Sequence, residues 1–269
     1  MARAATENFP VASRLLPPRL RRDLLAIYGF ARLVDQLGDD EPSDRLAALD
    51  WLESELDRAF AGTAQHPIMV ALTPTIAACG LQREPFERLI EANRVDQRVH
   101  SYETWEQLLG YCHLSADPVG ELVLTVFGAA TPERIAQSDA VCTALQLTEH
   151  WQDVREDLGR ARVYLPLEDL ARHGCTIDDL RAPFVSERLR RVMALEAVRT
   201  ARLFRDGEPL VAGLHGWQRL AVAGYLGGGR AALGALAAAG YEVLALSPRP
   251  SRRRVLGAIV RVLLRAAEQ

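Results

Sequence analysis

The sequence predicts a single all-α domain. Runs of Ala, Leu, Arg and Glu dominate it, and alternating β-branched stretches are scarce. In segment after segment apolar residues recur every three or four positions, the period of a half-buried helix. No repeat, low-complexity linker or shift in composition marks a boundary within the 269 residues, a length that buries a sizeable core.

The elements follow in order. Leu20, Leu24, Ile27, Ala31 and Val34 make an amphipathic helix over 20–38, and Pro17-Pro18 precede it as a start signal. Residues 43–61 form a second helix with Ser43 as N-cap. His66-Pro67 opens a third, through about Cys79, interrupted or restarted at Pro74. Residues 83–98 form a fourth, and residues 103–129 a long apolar segment broken near Asp117-Pro118. Thr131 and Pro132 supply an N-cap and first-turn proline for a helix running to about Leu158. Arg162 to Pro166 is extended, and Leu167 to His173 is a short helix closed at Gly174. Residues 186–206 are helical, and residues 209–239 form a core helix or helix pair packed closely by small residues. In that stretch Gly227-Gly228-Gly229 follows no strand, so it reads as close helix contact and not as a phosphate loop. The last helix, 251–267, is arginine-rich on one side.

Composition excludes several classes. Hydrophobic residues are 49%, charged residues 25% and the net charge −3, an ordinary soluble balance that offers nucleic acid no basic surface. Cys79, Cys112, Cys142 and Cys175 are scattered without a CxxC, as reduced core residues are. Met1 to Pro10 lacks a signal-peptide form, and no uncharged apolar run reaches the roughly 18 residues of a membrane span, so a cytoplasmic protein is expected.

Chemistry concentrates in Gln146 to Asp157. On a helix, Glu149, Asp153 and Asp157 stand at i, i+4, i+8 on one face. Each adjacent pair repels by roughly 0.2–0.5 kcal/mol when exposed, and by more when buried. Such a stripe is either solvated or neutralised by a cation. A second pair, Asp35 and Asp39, stands at i, i+4 on the first long helix, sharing a face with Tyr28 and Arg32. Alone, that pair reads as a solvated helix end. Carboxylates on two helices of one all-α chain are how a bundle builds an internal metal site, and carboxylate-only ligands favour Mg²⁺ or Mn²⁺. With arginines nearby, the pattern points to a diphosphate bound through Mg²⁺. A di-iron site needs Glu-x-x-His pairs; His150 directly follows Glu149 and is expected to point elsewhere.

Several blocks together carry a family resemblance. They are Asn8-Phe9-Pro10-Val11-Ala12-Ser13, Leu15-Leu16-Pro17, and Ile27-Tyr28 with Arg32, Asp35 and Asp39. His66-Pro67 and Tyr111-Cys112-x-x-Ser115-Ala116-x-Pro118-Val119-Gly120 follow, then Gln146-Leu147 and Trp151-Gln152-Asp153-Val154-x-Glu156-Asp157. Gly159-Arg160-x-Arg162-Val163-Tyr164-Leu165-Pro166 closes the series. From about residue 7 to 255 the chain resembles the squalene/phytoene synthase family. The resemblance implies an isoprenoid synthase fold, a single helical bundle around a central cavity between two aspartate-rich helices. It also implies three Mg²⁺ ions and prenyl diphosphate substrates.

Carried over by position, Asp35 and Asp39 resemble the first metal-binding pair, and Asp153 and Asp157 the second. Arg32 and Arg162 resemble diphosphate-contacting residues, and Tyr28, Tyr111 and Gln146 cavity residues near the reacting centre. Asn8 stands where many members have a diphosphate-contacting serine. Gln36 replaces a frequent aspartate, and Gln152 an arginine common in condensing members. Glu149 replaces an asparagine, and either ligates metal or weakens anion binding. Trp105 and Trp151 are packing or cation-stabilising aromatics.

The opening block and the Trp151-Gln152-Asp153 run look most like the bacterial hydroxysqualene synthase branch. That branch implies ionisation of presqualene diphosphate and capture by water, in hopanoid-type biosynthesis, without NADPH. The alternatives are a condensing synthase making presqualene diphosphate, squalene or a phytoene-like product, and a non-catalytic scaffold that presents lipid. A greasy product implies hand-off to other squalene-pathway enzymes. Arg252, Arg253, Arg254, Arg261 and Arg265 form either a solvated helix face or one attracted to the anionic inner face of a membrane.

Overall fold

The structure, a computed structural model, describes residues 16–39 and 44–268, the Asp39 side chain excepted. Ser43 and Asn8 lie outside the described residues. Within them every regular element is helical, and one parallel bridge joins Ser101 to Val163. The described residues form two compact units, one of residues up to 99 with 113–135, the other of 100–112 with 136 onward.

In the first unit α1 (Pro18–Asp39) packs against α2 (Arg45–Phe60), α3 (Pro67–Cys79) and α4 (Glu84–Asp96). The predicted stripe supplies the core: Leu24, Ile27 and Val34 are buried, joined by Phe30, which meets Phe86 of α4 edge-on at 4.9 Å. Each such side chain contributes about 1.5–3 kcal/mol by leaving water. Asp44 caps α2, accepting from the backbone N–H groups of Leu46 and Ala47. Pro74 does not break α3, contrary to expectation. The carbonyl it orphans belongs to Val70, which is on the exposed side of the helix.

Trp105–Ser115 forms α5 and Asp117–Val126 forms α6, so the chain breaks at the expected Asp117. Gly38 has a packing reason. A Cβ there would stand 2.9 Å from Asn93 Cγ of α4, and Gln97 Nε2 donates to the Gly38 carbonyl at 3.0 Å.

The second unit holds most of α7 (Pro132–Gln152), then α8 (Val154–Gly159) and α9 (Leu167–Arg172). A 3-10 turn over Ile177–Arg181 precedes α10 (Glu187–Asp206) and α11 (Pro209–Ala212). The chain then forms α12 (Gly216–Ala238) and α13 (Arg252–Arg265). Trp151 is fully buried, its Nε1–H donating to Thr200 Oγ1 at 2.8 Å, which ties α7 to α10. That is packing and not contact with a substrate cation.

The glycine run of α12 is a helix contact. A Cβ on Gly227 would meet the α13 backbone at 2.7 Å from Ile259 N, and one on Gly229 would meet Phe204 and Leu145. Gly227→Ala is therefore expected to destabilise the protein by about 1–3 kcal/mol. That overlap outweighs the up to ~1 kcal/mol that alanine gains in helix propensity. Urea unfolding checks it.

The helix expected to reach Leu158 stops earlier. Asp153 is non-helical, at φ −108° and ψ 15°, between α7 and α8. Backbone bonds from Asp153 N to Glu149 O (3.0 Å) and from Asp157 N to Asp153 O (2.8 Å) continue through the distortion. Neither proline nor glycine stands there. The distortion coincides with two side chains that tie this segment to the α12–α13 connection: Gln152 Nε2 donates to Pro248 O at 2.6 Å, and Arg155 Nη1 to Leu244 O at 2.8 Å.

Candidate active site

The first unit contributes one face of α1. Arg32 Nη1 lies 3.6 Å from Asp35 Oδ2, with both side chains partly exposed. A pair this open to water is worth at most about 1 kcal/mol, so it can exchange for a ligand at little loss. Tyr28, one turn earlier, is half-buried on the same face. Asp39 ends the helix, and its side chain lies outside the described residues, as does Asn8.

The second unit contributes a denser cluster around the α7–α8 junction. Gln146, Glu149, Asp153 and Asp157 are all partly buried. His150 stands among them and does not point elsewhere. Its Nε2 is 3.1 Å from Gln146 Nε2, and its Nδ1 is 3.6 Å from Asp157 Oδ2. A proton on Nδ1 faces the Asp157 carboxylate, and Nε2 lies against the Gln146 amide. Helix geometry explains the correction. Gln146 and His150 are i and i+4 on α7, about 40° apart at 100° per residue.

Asp153 carries the electrostatic signature of the site. Burial raises its carboxyl above the usual aspartate range, and the charges of Asp157 and Glu156 raise it further. Arg249 and His150 oppose them. Arg249 was not predicted. It lies in the connection between α12 and α13, one residue from the carbonyl that Gln152 holds. The glutamine that replaces a family arginine thus anchors the loop bearing another arginine near Asp153. Gln152→Leu orphans the Pro248 carbonyl and releases that loop. It is expected to raise KM for a diphosphate substrate about tenfold with a smaller change in kcat, measured by steady-state kinetics.

Beyond α8 the chain turns sharply. Arg162 N bonds to Asp157 O at 2.9 Å and Ala161 N to Leu158 O at 3.0 Å, with Ala161 left-handed at φ 59°. This is a Schellman cap with alanine in glycine's place, which costs about 1–2 kcal/mol. It brings Arg162 back beside Asp157, where both line a small pocket with His150 and Tyr164. Tyr164 stacks on His150 with 3.6 Å between ring centroids. Tyr111 lies 5.7 Å and Tyr102 5.9 Å from Tyr164, so three tyrosines and a histidine form one aromatic wall.

The sequence of a family of known enzymes matches this chain nearly end to end: the squalene/phytoene synthase profile covers residues 2–256. The chain belongs to the squalene/phytoene synthase family. Its members process isoprenoids and bind prenyl diphosphates. A hydroxysqualene synthase of Rhodopseudomonas palustris is 39% identical over 210 residues, 77% of this chain and 70% of that protein. A phytoene synthase of Arthrospira platensis is 34% identical over 224 residues, 78% of this chain and 72% of that protein. Among solved structures, the squalene synthase HpnC of Alicyclobacillus acidocaldarius is 49% identical and superposes with a TM-score of 0.83, covering 89% of this chain and 91% of that one. A dehydrosqualene synthase with bound ligand, 23% identical, shares the fold at a TM-score of 0.90, over 100% of this chain and 95% of that one. The all-α isoprenoid synthase fold expected from the sequence is therefore the fold observed.

The structure gathers Gln146, Glu149, Asp153, Asp157 and Arg162 into one region of the second unit, with Tyr111 on its aromatic wall. Tyr28, Arg32 and Asp35 share a face in the first. Residues missed by sequence reasoning are His150, Arg249, Tyr102 and Tyr164 in its wall role. His150 was available from helical angle; Arg249 had no such signal.

Proposed function

We propose that this chain converts presqualene diphosphate to hydroxysqualene by ionisation, rearrangement and capture of water. The observation that supports the proposal is the cluster at the α7–α8 junction, where Asp157, His150 and Arg162 line one pocket and Asp153, its carboxyl raised by burial and then by Asp157 and Glu156, stands beside them. Such a group is short of positive charge. Carboxylate donors suit Mg²⁺ or, second, Mn²⁺. Among the described residues no three His, Cys, Asp or Glu side chains cluster closely enough to hold a metal by themselves. Mg²⁺ takes one or two protein carboxylates and completes its shell with water and phosphate oxygens.

Asp153 and Asp157 are the proposed ligands on the second motif and Asp35 and Asp39 on the first, with Glu149 a further candidate. When bound, Mg²⁺ stabilises the charge that develops on the departing diphosphate. Arg32, Arg162 and Arg249 donate hydrogen bonds to diphosphate oxygens and orient the leaving group. The carbon–oxygen bond breaks toward them. Tyr28 and Tyr111 are the proposed cavity residues that shield the carbocation from bulk water until rearrangement is complete, with Tyr102 and Tyr164 stacked in the wall beside Tyr111. One water then bonds to carbon and loses a proton, so substrate and water give the alcohol and diphosphate. No NADPH enters this balance. Two curated relatives matched here, from Rhodopseudomonas palustris and Zymomonas mobilis, are named hydroxysqualene synthases, which supports the branch.

A condensing synthase is the second reading, supported by the likeness to the Arthrospira phytoene synthase. Separate incubations with farnesyl diphosphate, geranylgeranyl diphosphate and presqualene diphosphate distinguish them. Turnover of presqualene diphosphate alone is expected; consumption of farnesyl or geranylgeranyl diphosphate as sole substrate selects condensation. A lipid-presenting scaffold turns over none. Hand-off of the apolar product to the next squalene-pathway enzyme follows from the same reading.

A further inference from the structure

We propose that the outward face of α13 docks this protein on an anionic lipid bilayer. Leu256, Val260 and Leu264 stand at i, i+4 and i+8 and are 64%, 45% and 60% exposed, an apolar stripe along the helix. The opposite side packs on α12 through Ala258 and Val262, so the exposure is not a frayed end. Over Arg252–Arg265 the helix carries five arginines and no acidic residue. Arg252, Arg253, Arg254 and Arg261 are exposed, while Arg265 lies 3.7 Å from Glu208.

The arginines on the α12 side continue into a groove of about 950 Å³ between α10, α12 and α13, where Arg205 and Arg230 join Arg254, Arg261 and Arg265 above alanine and valine. Beside the last turn of α13, where Arg219 Nη2 donates to Leu263 O at 3.2 Å, the first turn of α12 exposes Trp217 and Leu220. Tryptophan favours the bilayer interface.

An apolar stripe flanked only by arginine is the pattern of a helix lying in the headgroup region. Charge selects the occupant. A neutral or cationic partner gains nothing from Arg252 and Arg253 beside the stripe, whereas each arginine near an anionic leaflet contributes about 1 kcal/mol. The sequence left α13 as either a solvated face or a membrane face; three exposed apolar side chains in one row favour the second.

Flotation of the full chain with lipid vesicles tests this without reference to turnover, so it stands or falls apart from the proposed reaction. With vesicles of phosphatidylcholine and phosphatidylglycerol, the bound fraction is expected to exceed that with phosphatidylcholine alone by at least about tenfold, and to fall in high salt. Leu256→Ser with Leu264→Ser removes the stripe, and Arg252→Glu with Arg253→Glu reverses charge; each is expected to lower binding about tenfold. All four positions are exposed, so both double variants are expected to melt with the parent. Equal flotation with both vesicle types, or flotation unaffected by both double variants, overturns the proposal. So does absence of flotation in a protein whose self-association, seen by light scattering, is lost in the leucine variant; that face then belongs to a protein interface.

Discussion

Asp153→Asn is expected to reduce turnover by about a thousandfold while making the metal-free protein more stable. The first effect follows if the carboxylate stabilises charge through bound metal, since loss of one such contact costs about 10²–10³ in kcat and a metal ligand stands at the upper end. The second follows from the carboxyl's raised pKa. In the folded chain it binds a proton more tightly than in the unfolded chain, because burial, Asp157 and Glu156 penalise the charged form. Its contribution to stability is fully present below the ordinary aspartate pKa and is lost as pH rises through the raised value. At neutral pH the aspartate is thus a liability, and the uncharged, near-isosteric asparagine removes it. Thermal melts of the two proteins in chelator check the stability. Repeating the melts with Mg²⁺ and inorganic diphosphate checks the ligand role: the parent is expected to gain several degrees and the variant little. A variant that keeps full activity removes Asp153 from the site.

Arg199→Met is expected to destabilise the fold by about 3–5 kcal/mol. Asp169 and Glu196 are both fully buried. Arg199 Nη1 donates to Asp169 Oδ2 at 2.5 Å and to Glu196 Oε1 at 3.2 Å, and its guanidinium lies 4.9 Å from the centre of the Trp105 ring. Trp105 is thereby a partner of this cluster. Removing the shared cation strands two buried carboxyls, with Arg172 left on Asp169 alone at 2.8 Å. The cluster also makes stability fall with pH. Burial pushes Glu196 from 4.5 up to about 8, against the opposing pull of Arg199. Between those values the folded chain keeps a proton that the unfolded chain has released. The contribution of Glu196 to stability is therefore fully present below 4.5 and is lost as pH rises through about 8. Glu196→Gln is expected to flatten that decline. Urea unfolding of parent and both variants at mildly acid and mildly alkaline pH measures it.

The all-α class, most helix starts and the core stripe of α1 were legible because they rest on short-range periodicity and capping. The placement of Asp35 and Asp39 at i, i+4 on α1 was legible for the same reason, whereas Asp153 falls between α7 and α8. What escaped depended on contacts between distant segments. The distortion at Asp153 coincides with Gln152 and Arg155 reaching Pro248 and Leu244, about ninety residues away, and no local residue announces it. Arg249 is brought near Asp153 by the same tether. Its position in an aperiodic connection gives no angle to compute. His150 was recoverable, since its helical angle on α7 places it with Gln146. Gly38 lowers the helix propensity of α1, yet its missing side chain admits Asn93 of α4.

The central claim is water capture of a cation formed from presqualene diphosphate. Its most direct test is product analysis of the purified chain with presqualene diphosphate as sole organic substrate, Mg²⁺ present, NADPH absent, in water labelled with heavy oxygen. The predicted result is hydroxysqualene carrying the label in its hydroxyl group, with one diphosphate released per alcohol formed. Unreacted presqualene diphosphate in a preparation that consumes farnesyl diphosphate, or an unlabelled hydrocarbon as the product, contradicts it.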